Sequence, residues 1–151
     1  MNIMSDPNAA RKDWLGLLAK SPADDVTRLW AALPVKSDHT VLRAPEIGGV
    51  MVRGRAGAVG AAFNLGEMTV TRASVKLADG TVGHGYVQGR SKEHALCAAL
   101  ADALLQTGAA EAVEAGLLTP LRTAMAARKE ARAAKAATTK VDFFTMVRGE
   151  D

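Results

Sequence analysis

Apolar residues in the first third of the chain recur with helical spacing. Trp14, Leu17 and Leu18 follow an i, i+3, i+4 pattern, which predicts a short amphipathic helix ending near Lys20. A Ser-Pro pair suited to a helix N-terminus comes next. It precedes a second apolar stripe made of Val26, Leu29, Trp30 and Leu33. The pattern therefore predicts two N-terminal helices, and we interpret both tryptophans as core or interface anchors.

Between Thr40 and Gln88 the spacing of apolar residues changes to two, which is typical of β-strands. The predicted strands are Val41–Arg43, Val50–Arg55 and Met68–Leu77, followed by a return strand ending near Gln88. Asp79-Gly80 predicts a two-residue hairpin turn before that return strand. The sequence therefore predicts an antiparallel β-meander.

The predicted turn fixes which residues of the hairpin share a face. It pairs Leu77 with Val82, Val75 with His84 and Ala73 with Tyr86, giving a face that is apolar except for His84. The opposite face carries Gly83 and Gly85 beside small and basic side chains. Because glycine adds no bulk, we expect another backbone or a ligand to approach closely there.

The last third of the chain is predicted to be helical again. Ser91 is placed to cap a core helix that reaches about Gln106, with Leu96, Leu100 and Leu104 in one row. Thr119-Pro120 predicts the start of a long, alanine-rich helix. We therefore expect a single α+β domain, with residues 1–118 as its body and residues 119–151 as a C-terminal helix and partner-docking tail.

Charge and composition exclude several classes of protein. The net charge of +3 is concentrated between Pro120 and Lys140, which holds six basic residues and one acid. A near-neutral body and 4% aromatic residues disfavour nucleic-acid binding. No apolar run approaches the roughly 18 residues that a membrane span requires. The single cysteine excludes an internal disulfide, and we expect a cytoplasmic protein.

Residue chemistry offers no recognisable catalytic centre. There is no nucleophile elbow, paired acidic motif or phosphate loop, and His94 with Cys97 is too small a set for a metal site. We therefore predict no catalytic residue and no metal ligand. The most suggestive segment is the turn at Gln88 and Arg90, before a helix N-terminus that suits anions. With Arg72 and His94 it could form an anion or partner patch, although a plain strand-to-helix cap explains the turn better on geometry alone.

The C-terminal segment is unusually apolar for a chain end. After the polar helix come Val141, Phe143, Phe144, Met146 and Val147, flanked by Asp142 and Arg148. These apolar side chains would be left in water unless the segment docks. We therefore predict that Val141, Phe143, Phe144, Met146, Val147 and Arg148 bind a partner.

Three stretches together resemble a known family. They are residues 65–73 (LGEMTVTRA), the groups Val87–Arg90, His94-Ala95 and Ala101–Leu104, and residues 141–149 (VDFFTMVRG). In this order they are similar to the G subunit of the bacterial carbon–phosphorus lyase core complex, a phosphonate metabolism protein. The similarity covers nearly the whole chain, and the terminal motif is its most specific part.

The resemblance implies a non-catalytic or accessory subunit in organophosphonate breakdown. Its assembly transfers methylphosphonate onto the ribose of ATP and releases adenine, with the I, H and J subunits as the implied partners. It implies no cofactor held by this chain, because ATP is a substrate of the whole assembly. From the residues alone, a freestanding small enzyme that binds a phosphorylated ligand at the Gln88–His94 turn stays the alternative.

Overall fold

The computed structural model describes Asp6, residues 8–57 and residues 59–143. Two helices come first, α1 (Ala9–Lys20) and α2 (Ala23–Ala32). Three strands follow, β1 (His39–Arg55), β2 (Ala62–Leu77) and β3 (Val82–Gln88). The chain ends in α3 (Lys92–Leu105), α4 (Ala110–Val113), a π-helical turn (Glu114–Leu118) and α5 (Thr119–Thr138). The sheet order is β1-β2-β3 with antiparallel pairs, so the predicted α+β domain with a β-meander is confirmed.

Helix α3 forms the centre of the core, packed across β2 and β3. Almost all its residues are buried, and their alanines let the helix lie close to the sheet. Leu18 from α1, Val26 from α2, and Leu117 and Leu121 from the C-terminal helices are all at most 1% exposed. Helices from both ends of the chain therefore close one side of the sheet, and no helix in the described ranges covers its opposite face.

The hairpin between β2 and β3 contains one residue more in its loop than predicted. The N–H of Leu77 donates to the carbonyl of Thr81 at 2.8 Å, which leaves Ala78, Asp79 and Gly80 as the loop. Gly80 has a φ of +92°, where a side chain would be strained. The predicted two-residue turn is therefore wrong, and the register of the hairpin shifts by one residue.

This shift exchanges the two faces of β3. The observed pairs are Val75 with Gly83, Ala73 with Gly85, Ser74 with His84 and Arg72 with Tyr86. The two glycines therefore lie on the buried face, where a Cβ would collide with the backbone of α3 at Ala95 and Ala99. Close approach of another backbone at the glycines was predicted correctly, but the prediction placed them on the wrong face.

Strands β1 and β2 continue well beyond β3, which pairs only with Val70–Lys76. Residues 49–55 and 62–69 form a two-stranded extension, which we call the ribbon. Two predicted strand boundaries are wrong here: β2 begins at Ala62 rather than at Met68, and β1 runs without a break through the residues between Arg43 and Val50. Met51 and Leu65 in the ribbon are 53% and 63% exposed.

The helical path is continuous from Ala110 to Thr138. Thr119 is therefore not an N-cap, and its N–H donates to the carbonyl of Glu114 through the π-helical turn. That turn shifts the hydrogen-bond pattern just before Pro120, which has no N–H to donate. The boundary between a body and a C-terminal part at residues 118 and 119 stays a prediction.

Candidate functional site

The four residues of the predicted anion or partner patch do not form one cluster. Arg72 and Gln88 share the uncovered face of the sheet, as diagonal neighbours on β2 and β3. Arg90 lies exposed in the turn after β3. His94, by contrast, is 1% exposed and cannot reach that surface. His94 is therefore not part of the predicted patch, whereas Arg72, Gln88 and Arg90 are accessible to a ligand or a partner.

His94 has a structural role, because its side chain links α3 to α1 inside the core. Its Nε2 lies 2.8 Å from the carbonyl of Leu18, so Nε2 carries the proton and donates it. Its Nδ1 is buried without a hydrogen-bond partner. Burial lowers the pKa of His94 below its ordinary value, since the charged form would be poorly solvated. The imidazole is therefore neutral near pH 7, which does not suit an anion ligand.

Arg72 belongs to an exposed charge cluster rather than to a free cationic site. Its Nη2 lies 3.2 Å from Glu46 Oε2, and Arg43 Nη1 lies 3.1 Å from the same oxygen. The charge of Arg72, helped by hydrogen bonds from both arginines, lowers the pKa of Glu46. Since one acid is shared by two arginines, the cluster keeps an excess positive charge beside Tyr86.

A concave surface lies between α1 and α5. We call it the α1–α5 groove, a cavity of about 480 Å³ lined by Lys12, Asp13, Gly16, Leu17, Lys20, Arg122, Met125, Ala126 and Lys129. Asp13 is paired with Arg122 at 2.9 Å across the groove. Beyond Lys20 and Met125 a second cavity of about 620 Å³ continues past Gln88, Arg128 and Arg132. Gln88 therefore lies beside basic residues that the sequence patterns did not connect with it.

Three observations on the described residues bear on possible catalytic chemistry. Nowhere among them do three His, Cys, Asp or Glu side chains come together as a metal site would require. Ser74 Oγ lies 2.9 Å from Nδ1 of His84, and both residues lie on the uncovered face of the sheet, where the contact is exposed to solvent. Burial raises the pKa of the Cys97 thiol to about 11, which makes it a poor nucleophile at neutral pH.

The beginning of the C-terminal segment carries exposed apolar side chains. Val141 is 66% exposed and Phe143 is 91% exposed, directly after α5 ends. The other predicted docking residues, Phe144, Met146, Val147 and Arg148, lie outside the described residues. Docking of this segment on a partner therefore stays a prediction, and the exposure of Phe143 is the observation in its favour.

Asp102 is the residue that sequence reasoning missed. Its carboxylate is fully buried in α3 and accepts hydrogen bonds from Arg11, Trp14 and the N–H of His84. It thereby ties α1, α3 and β3 together, and it fixes the wall of the α1–α5 groove that α1 supplies. The available signal was a single acid inside the otherwise apolar run from Ala95 to Leu105.

In the part of the chain that the structure describes, no helix has both the length and the apolar character needed to cross a membrane.

The comparisons with known proteins agree with each other. The family described as phosphonate metabolism protein PhnG matches residues 9–149. The alpha-D-ribose 1-methylphosphonate 5-triphosphate synthase subunit PhnG of Rhizobium meliloti (strain 1021) is 43% identical over 143 residues, covering 95% of this chain and 92% of the relative.

Proposed function

Because this chain belongs to the PhnG family of phosphonate metabolism proteins, we propose that it is an accessory subunit of a ribose 1-methylphosphonate 5-triphosphate synthase. The observation that carries this proposal is 43% identity over 95% of the chain to a relative of that name. The assembled enzyme would transfer methylphosphonate onto the ribose of ATP and release adenine. Its partners would be the I, H and J subunits, in the cytoplasm.

The site geometry is consistent with an accessory role. Among the described residues, no three His, Cys, Asp or Glu side chains come together as a metal-dependent centre would require. Any residue from this chain would therefore act by completing a centre formed mainly by other subunits. Arg72, Gln88 and Arg90 are the accessible candidates for contact with a phosphorylated substrate or with a partner.

The ribbon supports assembly with other chains. Isolated two-stranded extensions are marginally stable in water, and both edges of the ribbon are open beyond β3. Its exposed apolar side chains include Met51, Phe63 and Leu65. We propose that a partner subunit covers the ribbon, which would bury these side chains and pair its free strand edge.

Co-purification tests this assignment. The tagged full-length chain should retain the I, H and J subunits when all four are expressed together. Met51→Glu with Leu65→Glu should abolish that retention, because two charges would be buried in the interface. Ala133→Glu on the exposed part of α5 serves as the matched control and should retain the partners. Purification of the wild-type chain alone under these conditions would contradict the proposal.

The alternative, a freestanding enzyme that binds a phosphorylated ligand at the Gln88–His94 turn, is weakened by the position of His94. That residue is buried and neutral, so the turn would offer a ligand only Gln88, Arg90 and the helix N-terminus. The Ser91 side chain already accepts from the N–H of His94 at that N-terminus. The residues therefore fit an ordinary helix cap better than a complete anion site.

A further inference from the structure

Among the described residues, three basic side chains and no acidic one line the second cavity, which continues the α1–α5 groove. We call this cavity the basic cleft, and its lining residues are Lys20, Gln88, Met125, Arg128, Ala131 and Arg132. The end of α1, the end of β3 and one side of α5 supply them. Its volume of about 620 Å³ lies in the range of small-molecule sites. The cleft is therefore a concave site of ligand size rather than a row of charges on one helix.

The positive charge of the basic cleft is only weakly compensated. Arg128 Nη1 lies 3.8 Å from Asp25 Oδ2, and the same carboxylate is shared with Arg28, whose Nη2 lies 3.4 Å from Oδ1. Within the described ranges, no carboxylate oxygen lies within 4.0 Å of the Lys20 ammonium or the Arg132 guanidinium. An anion entering the cleft would therefore meet cations that are not already neutralised.

The two arginines of the cleft repel each other along α5. Arg128 and Arg132 are four residues apart, so they share one face of the helix and lie about 6 Å apart along its axis. Like charges at this spacing destabilise a helix. Glu130 lies two residues from each arginine, so it faces away from both and does not line the cleft. A bound anion would replace this repulsion by attraction to both side chains.

The side chains of the basic cleft match the chemistry of a phosphate chain. Guanidinium groups bind phosphate oxygens through paired N–H donors, and two of them one helical turn apart can hold different phosphates of one chain. Lys20 adds a compact positive charge from α1, and the amide of Gln88 adds a neutral donor from β3. Because every phosphate of a polyphosphate is negatively charged, three converging cations favour a polyphosphate over a single phosphate group.

We infer that the basic cleft binds the 5′-triphosphate of a nucleotide. Lys20, Arg128 and Arg132 contact the phosphate oxygens, and Gln88 donates to one of them. This inference deepens the proposed function, on which it rests for the identity of the nucleotide as ATP. In the assembly this chain holds the triphosphate end of the substrate, while the other subunits act at the ribose.

Titration of the purified full-length chain with inorganic tripolyphosphate, followed by calorimetry, tests the inference. The wild-type chain should bind, and Lys20→Gln with Arg132→Gln should lower the association constant at least about tenfold, because two charge-assisted contacts are lost. Both side chains are exposed, so the double variant should keep the wild-type circular dichroism spectrum. Lys36→Gln with Lys76→Gln is the matched control, because it removes two exposed cations outside the cleft and should bind like the wild type.

A tetraglutamate peptide distinguishes a phosphate site from a surface that attracts any acidic segment. It should bind at least about tenfold more weakly than tripolyphosphate, because carboxylates spaced along a peptide cannot converge on one cavity as linked phosphates do. Equal affinity for the peptide would overturn the inference and assign the cleft to an acidic segment of a protein. No measurable binding of tripolyphosphate, or equal affinity in the double variant and its control, would also overturn it.

Kinetics of the assembled enzyme provide the second measurement. Lys20→Gln with Arg132→Gln should raise the KM for ATP at least about tenfold and leave the KM for methylphosphonate unchanged, because only ATP carries the triphosphate. An unchanged KM for ATP would contradict the role of the cleft in the assembly. Failure of the wild-type chain to assemble with the I, H and J subunits would count against the proposed function, whereas the titration reports on the cleft independently.

Discussion

The indole N–H of Trp14 donates to the carboxylate of Asp102 at 2.8 Å, across 88 positions of sequence. Arg11 approaches the same carboxylate with Nε at 3.1 Å and Nη2 at 2.8 Å. Trp14 is thus a polar link between α1 and α3 as well as the apolar anchor that its spacing predicts. Because α1 also forms one wall of the α1–α5 groove, this contact holds that wall in place.

Replacing Asp102 should strongly destabilise the fold. Asp102→Ala leaves the N–H of His84 and the indole of Trp14 without an acceptor, and it removes the partner of Arg11. The expected loss is about 3 kcal/mol in the free energy of unfolding. Urea denaturation followed by circular dichroism measures it. Asp142→Ala, which removes one exposed ion pair, should change stability by less than about 0.5 kcal/mol; equal losses would refute the role of Asp102.

Alanine at Gly83 or Gly85 should loosen the packing of α3 on the sheet. In either case the new Cβ would meet backbone atoms of α3, so the helix must shift. Overpacking of this kind costs about 1–3 kcal/mol, occasionally more. Gly66→Ala is the matched control on β2, where a Cβ meets nothing within 4 Å. Thermal unfolding of the three variants checks this, and unchanged stability at both Gly83 and Gly85 would contradict the close approach.

Stability should fall with acidification because of His94. The folded-state pKa of His94 is depressed below its ordinary 6.5, so the unfolded chain takes up a proton at a higher pH than the folded chain does. The contribution of the neutral imidazole is therefore present above the unfolded-state pKa of about 6.5 and is lost progressively as the pH falls from there through the lower pKa of the folded state. The measurement is the free energy of unfolding between about pH 8 and pH 5. His94→Gln should flatten that profile; the same slope in His94→Gln and wild type would exclude His94 as the cause.

Charge at Arg72 and Arg90 should matter for the assembled enzyme rather than for folding. Both side chains are exposed, and the ion pairs of Arg72 with Glu46 contribute little to stability. Arg72→Ala and Arg90→Ala should therefore fold like the wild type but weaken either assembly or adenine release. Arg28→Ala on α2, where the side chain is 69% exposed, provides a control for the loss of an exposed cation. Normal assembly and normal activity in both variants would show that Arg72 and Arg90 bind neither a partner nor a substrate.

Much of the fold follows from local patterns. The helices around Trp14, Val26 and Leu100 are predicted because their apolar residues repeat at helical spacing and bury against one sheet. The register of the β2–β3 hairpin is not predicted, since Asp79-Gly80 fits both a two-residue and a three-residue loop. The choice depends on the close approach of α3 to Gly83 and Gly85, which is a tertiary contact.

The candidate site was less predictable because its residues come from distant parts of the chain. The α1–α5 groove brings Lys12 and Lys20 beside Lys129, more than a hundred positions away. His94 was assigned to a surface patch because it follows Arg90 closely in sequence, yet the first turn of α3 directs it into the core. Asp102 gave only a weak signal, since a single acid in an apolar helix specifies no partner.

Adenine release from ATP in the presence of methylphosphonate is the most direct measurement of the accessory-subunit assignment. It compares three preparations: the partner subunits with this chain, the same subunits without it, and this chain alone. The account predicts adenine only from the first preparation, because the proposed accessory role makes this chain required for the reaction but not sufficient for it. Adenine release by the rigorously purified chain alone, or an equal rate from the partners without it, would contradict the account.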